Sequence, residues 1–212
     1  MNKINYQKET DRIIGKINEQ GTLPKLLLHS CCAPCSSYTL EYLSNYFGIT
    51  VFYFNPNISP KSEFDKRFDE QKRLIESMPV KNEVKLVRGD YDYSEFLSAV
   101  KGLETCREGG ERCFICYRLR LEKTAQLAKE NGFDYFCTTL SISPLKNSQK
   151  INEIGFDLAE KYGVTWLPSD FKKREGYKRS IELSREYDLY RQNFCGCVFS
   201  KSDISQTVDN DN

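Results

Sequence analysis

Five apolar, β-prone runs punctuate the chain: KLLLH (25–29), TVFYF (50–54), VKLVR (84–88), YFCTT (135–139) and VTWL (164–167). Between them, apolar residues recur at helical spacing. Leu40, Leu43 and Phe47 mark a helix that begins near Ser36, a second covers roughly 61–77, and a short one follows Asp92. The clearest runs from Cys113 to about Asn131, with Phe114, Tyr117, Leu121, Ala125 and Ala128 on one stripe and Gly132 as its stop. Ser143 and Pro144 suit the N-cap and first turn of the next helix, whose Ile151, Ile154 and Leu158 face inward and which Gly163 closes. The polar first twenty residues are helical in pattern as well. Strands alternating with helices of this length predict a single α/β domain, a mostly parallel sheet of about five strands flanked by helices. Residues 1–24 read as an N-terminal helical extension, 25–202 as the domain proper and 203–212 as a frayed tail. There is no internal repeat and no Pro/Gly-rich linker.

Composition narrows the class. The chain has 212 residues, 39% hydrophobic and 29% charged, enough for one ordinary core. A net charge of +1 gives no whole-molecule argument for a polyanionic partner, although local charge still does. No run approaches the ~20 apolar residues that span a bilayer, and the N-terminus has no apolar signal core. The expected location is therefore the cytoplasm, where thiols stay reduced. In that setting nine cysteines point to metal or redox chemistry rather than to structural disulfides.

The cysteines fall in tight groups. HSCCAPC (29–35) follows the first strand and leads into a helix, the place where parallel α/β sheets bind ligands. A phosphate loop is not indicated, since neither GxGxxG nor GxxxxGK[ST] occurs. Instead Cys31, Cys32 and Cys35 occupy the turn, and a helix N-terminus stabilises the thiolate form that binds metal. Cys113 and Cys116, in CFIC, project from one face at another helix start, after a Gly-Gly pair that permits a tight turn. Two such helix starts at one end of the sheet can bring five sulfurs together; alternatively, the residues are small buried hydrophobes. Tetrahedral sulfur sites hold zinc or iron–sulfur clusters. Neighbouring side chains diverge, which is awkward for one zinc, whereas a polynuclear centre can use both members of a vicinal pair. Five ligands also exceed what one zinc needs, so an iron–sulfur centre is favoured.

Cys195 and Cys197 flank one glycine. A disulfide across that glycine is strained and easily reduced, which makes a redox pair; the alternative is two core thiols around a tight turn. Cys137 is mid-strand and reads as core. Cys106 is a peripheral candidate in a loop. His29, the only histidine, either orients a ligand or is a satisfied buried histidine. Near the C-terminus, Lys172, Lys173, Arg174, Lys178 and Arg179 lie close to Tyr187, Tyr190, Arg191, Gln192 and Phe194. Cations interleaved with aromatics suit a nucleic acid, although each single lysine by itself fits a solvated helix face better.

HSCCAPC, EGGERCFICYRLRLEKTA, TTLSISPLKN, DFKKREGY and LYRQNFCGCVFS, in this order, resemble the cobalamin-independent epoxyqueuosine reductases of the QueH type. The resemblance runs from about Lys25 to Ser202 and makes 25–202 a catalytic iron–sulfur domain. It implies a fold related to the adenine-nucleotide alpha-hydrolase group, with cysteines in place of the phosphate loop. It implies removal of the epoxide oxygen from epoxyqueuosine at the wobble position of tRNA, with electrons from an unspecified donor. It implies a [4Fe-4S] cluster on Cys31, Cys32, Cys113 and Cys116 and an additional mononuclear iron, for which Cys35 is a candidate ligand. Some members have aspartate at that position. The candidate catalytic residues are Cys35, Tyr190 and Arg191: Tyr190 as a stacking platform for an extruded base, Arg191 reading its polar edges together with Gln192. The competing readings are a zinc-stabilised tRNA-binding module without catalysis and an ATP-dependent tRNA thiolase, against which the missing phosphate loop argues.

Overall fold

The structure is a computed structural model and describes residues 4–200; the expected tail at 203–212 lies outside them. Helix α1 (Tyr6–Gln20) leads into β1 (Lys25–His29), α2 (Ala33–Leu43), β2 (Gly48–Tyr53), α3 (Lys61–Ser77), β3 (Val84–Arg88), α4 (Tyr93–Ala99) and α5 (Glu111–Glu130). Strand β4 (Tyr135–Thr138), a 3₁₀ turn over Thr139–Ile142, α6 (Ser148–Tyr162), β5 (Thr165–Trp166) and α7 (Gly176–Glu186) complete it. The five strands form one sheet in the order β3-β2-β1-β4-β5. Every pairing is parallel, with Leu28 opposite Val51 on one side and Cys137 on the other.

β1 is central. Its Leu26, Leu27 and Leu28 are fully buried, because helices cover both faces of a parallel sheet and no solvent face remains to be polar. After β1 the chain turns towards β2 and β3, and only later returns to lay β4 on β1's other edge. The carboxyl end of β1 therefore stands at the reversal of strand order, where such sheets open a crevice. Helix α1 joins the same core through Ile14 and Ile17, and Thr10 Oγ1 donates to Pro168 O at 2.6 Å.

Two elements depart from expectation. Helix α6 starts at Ser148, capped by Asn147, whose Oδ1 accepts from Lys150 N at 3.0 Å. Ser143 does not cap it. Its hydroxyl takes the Leu145 N–H (3.3 Å) and its carbonyl the Lys146 N–H (3.2 Å), which closes a separate turn. Helix α7 has no apolar stripe to announce it: it buries Gly176, Ser180, Leu183 and Ser184. Its inward face is small because α2 approaches closely. A Cβ on Gly176 would lie 2.0 Å from Phe171 O and 2.4 Å from Tyr38 Cε1.

Candidate metal and redox centre

Four buried polar contacts shape the loop after β1. Ser30 N donates to Phe52 O (3.0 Å), and Ser30 O accepts from Asn55 Nδ2 (2.8 Å). Ser30 Oγ and Ser36 Oγ both donate to Gln71 Oε1, at 2.7 and 2.8 Å. Gln71 thus reaches from α3 to clamp both ends of the loop that holds the thiols. Within this frame Cys32 is the extended N-cap of α2 and Pro34 lies in its first turn.

The three sulfurs of Cys31, Cys32 and Cys35 lie within 4.8 Å of one another. Cys31 Sγ and Cys32 Sγ are 3.8 Å apart, so this vicinal pair converges rather than diverges. The break between strand end and helix start turns neighbouring side chains towards one point. The Cys32 and Cys35 thiols donate to Cys31 and hold its pKa well below that of an ordinary thiol. The same contacts push Cys32 up to about 12 and Cys35 well above its ordinary value. The triad thus favours thiolate at Cys31, with the Cys32 and Cys35 thiols as its hydrogen-bond donors. A soft cation that displaces those protons gains three converging thiolates.

A second group lies at the start of α5 and in the C-terminal segment. Gly109, at φ 83°, donates its N–H to Cys113 Sγ at 3.2 Å. Cys116 is buried with Cys197, Phe96 and Val100. Burial pushes Cys116 up to about 12 and raises Cys113. Cys195 and Cys197 are free thiols here. Between them Gly196 takes φ 100°, and a Cβ there would stand 3.0 Å from Ile58 Cγ1 and 3.2 Å from an Arg67 nitrogen.

Three cations serve both groups. Arg67 is 2% exposed, pairs with Glu63 at 2.7 Å and donates to Cys195 O at 3.1 Å. Arg120, also buried, holds Cys116 O at 3.0 Å and faces the thiols of Cys116, Cys195 and Cys31. Lys146 Nζ lies 3.6 Å from Cys195 Sγ. Burial works against the Lys146 charge, but Cys195, Tyr117 and Cys31 outweigh it and its pKa rises. These positive charges favour anionic sulfur at half-buried and buried positions where solvation alone is weak.

A cavity of about 530 Å³ opens over the triad. Arg191 and Gln192 line it, together with Arg67, Arg120, Lys146 and Cys195. Tyr190 is not among its lining residues. Its hydroxyl bonds Glu63 at 3.2 Å and Lys66 Nζ stands 3.5 Å over its ring, so it packs on α3. Tyr177, on α7, lines the cavity instead. Of the basic segment, Lys172 pairs with Asp170 (2.7 Å), Arg174 with Asp11 (2.6 Å), Lys178 with Glu175 (3.6 Å) and Arg179 with Glu41 (2.6 Å). Lys173 is exposed and has no ion pair among the described residues.

His29 is fully buried and satisfied. Nε2 donates to Phe54 O (3.0 Å), which fixes the tautomer, and Nδ1 accepts from Thr138 Oγ1 (2.8 Å). Burial, with help from Arg120, lowers its pKa to about 3. Cys137 is a core thiol, its Sγ 3.6 Å from Ser169 Oγ. Cys106 sits in the loop before α5, its N–H bonded to Leu103 O at 3.1 Å. Lys146, Arg120, Arg67 and Tyr177 were not singled out by sequence as parts of one site. Lys146 carried one usable signal, a lysine in the turn directly after an apolar strand and turn.

Fold and site together define a parallel α/β domain whose switch-point crevice is lined with thiols and cations. Residues 26–203 match the family model described as epoxyqueuosine reductase QueH. The chain is 46% identical over 200 residues to the epoxyqueuosine reductase QueH of Streptococcus pyogenes serotype M1, covering 93% of this chain and 78% of the relative. It is 46% identical over 202 residues to that of Staphylococcus epidermidis (93% and 85%) and 38% identical over 178 residues to that of Thermotoga maritima (82% and 89%). The chain belongs to the QueH family of epoxyqueuosine reductases, which are oxidoreductases. Among the described residues no helix is long and apolar enough to cross a membrane.

Proposed function

We propose that this protein removes the epoxide oxygen of epoxyqueuosine in tRNA, forming the alkene of queuosine and water at a cost of two electrons and two protons. The observation that carries this reading is the converged thiol triad at the switch point of a chain in this family. Cys31, Cys32, Cys113 and Cys116 would hold a [4Fe-4S] cluster and Cys35 a further iron; such a centre supplies one-electron transfer and a Lewis acid for the epoxide oxygen. What supports it is the convergence of Cys31, Cys32 and Cys35 within 4.8 Å, with the Cys31 pKa lowered by its two neighbours; Cys113 and Cys116 lie outside that group and would have to be drawn to the metal.

The protein's own residues do the positioning. The cavity admits one extruded nucleoside, and Arg191 and Gln192 orient its polar edges. Cys195 and Cys197 serve as the redox pair: oxidation of the dithiol to a disulfide releases two electrons and two protons, matching the demand of the epoxide. A partner of unassigned identity restores the dithiol. Neutral His29 takes no part in proton transfer, since both ring nitrogens are engaged. Lys173, with no carboxylate partner among the described residues, is better placed for phosphate contacts than Lys172, Arg174, Lys178 and Arg179, which must leave one. The reaction is assigned to the cytoplasm.

The test is mass spectrometry of nucleosides from epoxyqueuosine-tRNA treated with iron-reconstituted, prereduced protein, without cobalamin or ATP. Loss of one oxygen from the modified nucleoside supports the reading. An iron-replete protein that leaves the epoxide intact, or needs cobalamin, overturns it. A colourless protein that binds zinc and tRNA without turnover establishes the binding-module alternative.

A further inference from the structure

The mouth of the thiol cavity carries two large side chains that the reaction does not require. Leu145 is 72% exposed and Tyr177 is 37% exposed, yet both line the cavity. A single exposed apolar side chain is ordinary, but two large ones that border one cavity beside the Arg191 guanidinium offer a contact surface to a partner. Both are presented by rigid backbone. Leu145 sits in the turn closed by Ser143, and the next residue, Lys146, reaches Cys195, so the turn cannot move without disturbing the redox pair. Its carbonyl lies 4.0 Å from the position of a Cβ on Gly109, beside the start of α5. Tyr177 follows Gly176, which is wedged between Phe171 and Tyr38, after two residues in left-handed conformation, Arg174 (φ 51°) and Glu175 (φ 59°). Its ring has the Arg191 guanidinium 6.0 Å from its centroid. Four cations (Arg67, Arg120, Lys146 and Arg191) and one carboxylate (Glu108) line the cavity, so its charge suits an anionic chain.

We infer that Leu145 and Tyr177 form a clamp for single-stranded RNA. Tyr177 stacks on a base, with the Arg191 guanidinium beside the ring, and Leu145 inserts where the extruded nucleotide leaves the stack and keeps its neighbour from closing the gap. Unpaired loops are read by such aromatic and cationic planes, and apolar wedges between bases hold a nucleotide out. The clamp rests on the proposal that the substrate is tRNA. It gives a use to the exposed Leu145 and Tyr177 that share the rim of the cavity with Arg191 and Asn193.

The experiment uses the iron-reconstituted protein and an anticodon stem–loop RNA with guanosine at the wobble position and 2-aminopurine at the next. Binding to wild type raises the 2-aminopurine fluorescence as the neighbour unstacks. Leu145→Ala abolishes the rise and weakens binding, while Tyr177→Ala costs about tenfold in affinity, the scale of one lost base–aromatic stacking contact. Leu145→Met keeps both, and Tyr177→Phe binds like wild type whereas Tyr177→Ala does not. Wild-type iron content and melting temperature in each variant show that the exposed positions are not structural. A wild type that binds with the fluorescence rise, alongside a Leu145→Ala that matches it, overturns the clamp and leaves the proposed function standing. A wild type that binds no stem–loop, and no full-length tRNA either, overturns both.

Discussion

Two thiol-bearing segments meet at the cavity, and they are held in different ways. The HSCCAPC loop is fixed from within: it joins a central strand to a helix, and Gln71 and Asn55 bind its backbone and its two serines. The segment from Leu189 to Cys197 belongs to no strand or helix and depends on side chains that reach over to it. Arg67 holds its carbonyls, Glu70 accepts from Tyr190 N at 2.7 Å, and Lys146 meets Cys195. The first arrangement suits donors that must keep one geometry. The second would suit the proposed redox pair, because few contacts have to change when a bond between the two sulfurs forms and breaks. Electrostatics does not follow this division, because the cations are shared: Arg67 faces Cys31 and Cys32 of the triad, and Lys146 faces Cys31 as well as Cys195.

The sharpest way to break this comparison is to remove one sulfur from each segment. Cys32→Ala is expected to lose most bound iron and all turnover. Cys197→Ser keeps its iron and loses turnover with a thiol reductant. Iron analysis beside the activity assay reads both, and equal iron loss in the two variants would erase the distinction.

Next in size is Arg67→Met. It frees the C-terminal segment and leaves Glu63, only 12% exposed, without its partner. Unpairing a buried ion pair costs about 3–5 kcal/mol, so chemical denaturation should show a drop of that order. If the loss is below about 1 kcal/mol, Arg67 is not the anchor.

The triad loop has its own sensor in His29, which ends β1 immediately before it. Its pKa is about 3 in the fold against 6.5 for an ordinary histidine, so its contribution is fully present above pH 6.5 and is lost as pH falls. The slope is on the order of 1.4 kcal/mol per pH unit below 6.5. Replacing the imidazole by the neutral amide in His29→Gln should flatten stability between pH 6.5 and 4, whatever its cost at pH 7. An unchanged slope would assign acid sensitivity elsewhere.

Gly196→Ala perturbs the other segment by about 1–3 kcal/mol, since alanine is strained at φ 100° and its methyl meets Ile58 and Arg67. Iron content should stay at wild-type level, which separates damage to this segment from damage to the triad. The smallest effect concerns phosphate contacts. Lys173→Ala should lower the log–log salt slope of tRNA binding by ~0.7–0.9, whereas Arg179→Ala, already committed to Glu41, should barely change it. The reverse result would return the contact to the paired arginine.

Much of this was legible in the chain. The bounds of β1, α3 and β3 match the runs at 25–29, 61–77 and 84–88, because periodicity and β-branching are properties of neighbours in sequence. The parallel α/β class, the placement of HSCCAPC after the first strand and the family resemblance followed from the same local signals. What failed locally was α7, whose buried face of Gly176, Ser180 and Ser184 has no apolar period to read, and the start of α6, where Ser143 had two possible uses and the tertiary turn chose one. Only the folded chain decided that Cys31 and Cys32 point to one place, that Lys146 meets Cys195, that Arg67 ties α3 to a segment more than a hundred residues away, and that Tyr177 rather than Tyr190 borders the cavity. Sequence supplies which atoms are available and the local direction of the backbone. Which side chains converge depends on the order of strands in the sheet and on how closely helices approach, and neither is encoded between neighbours.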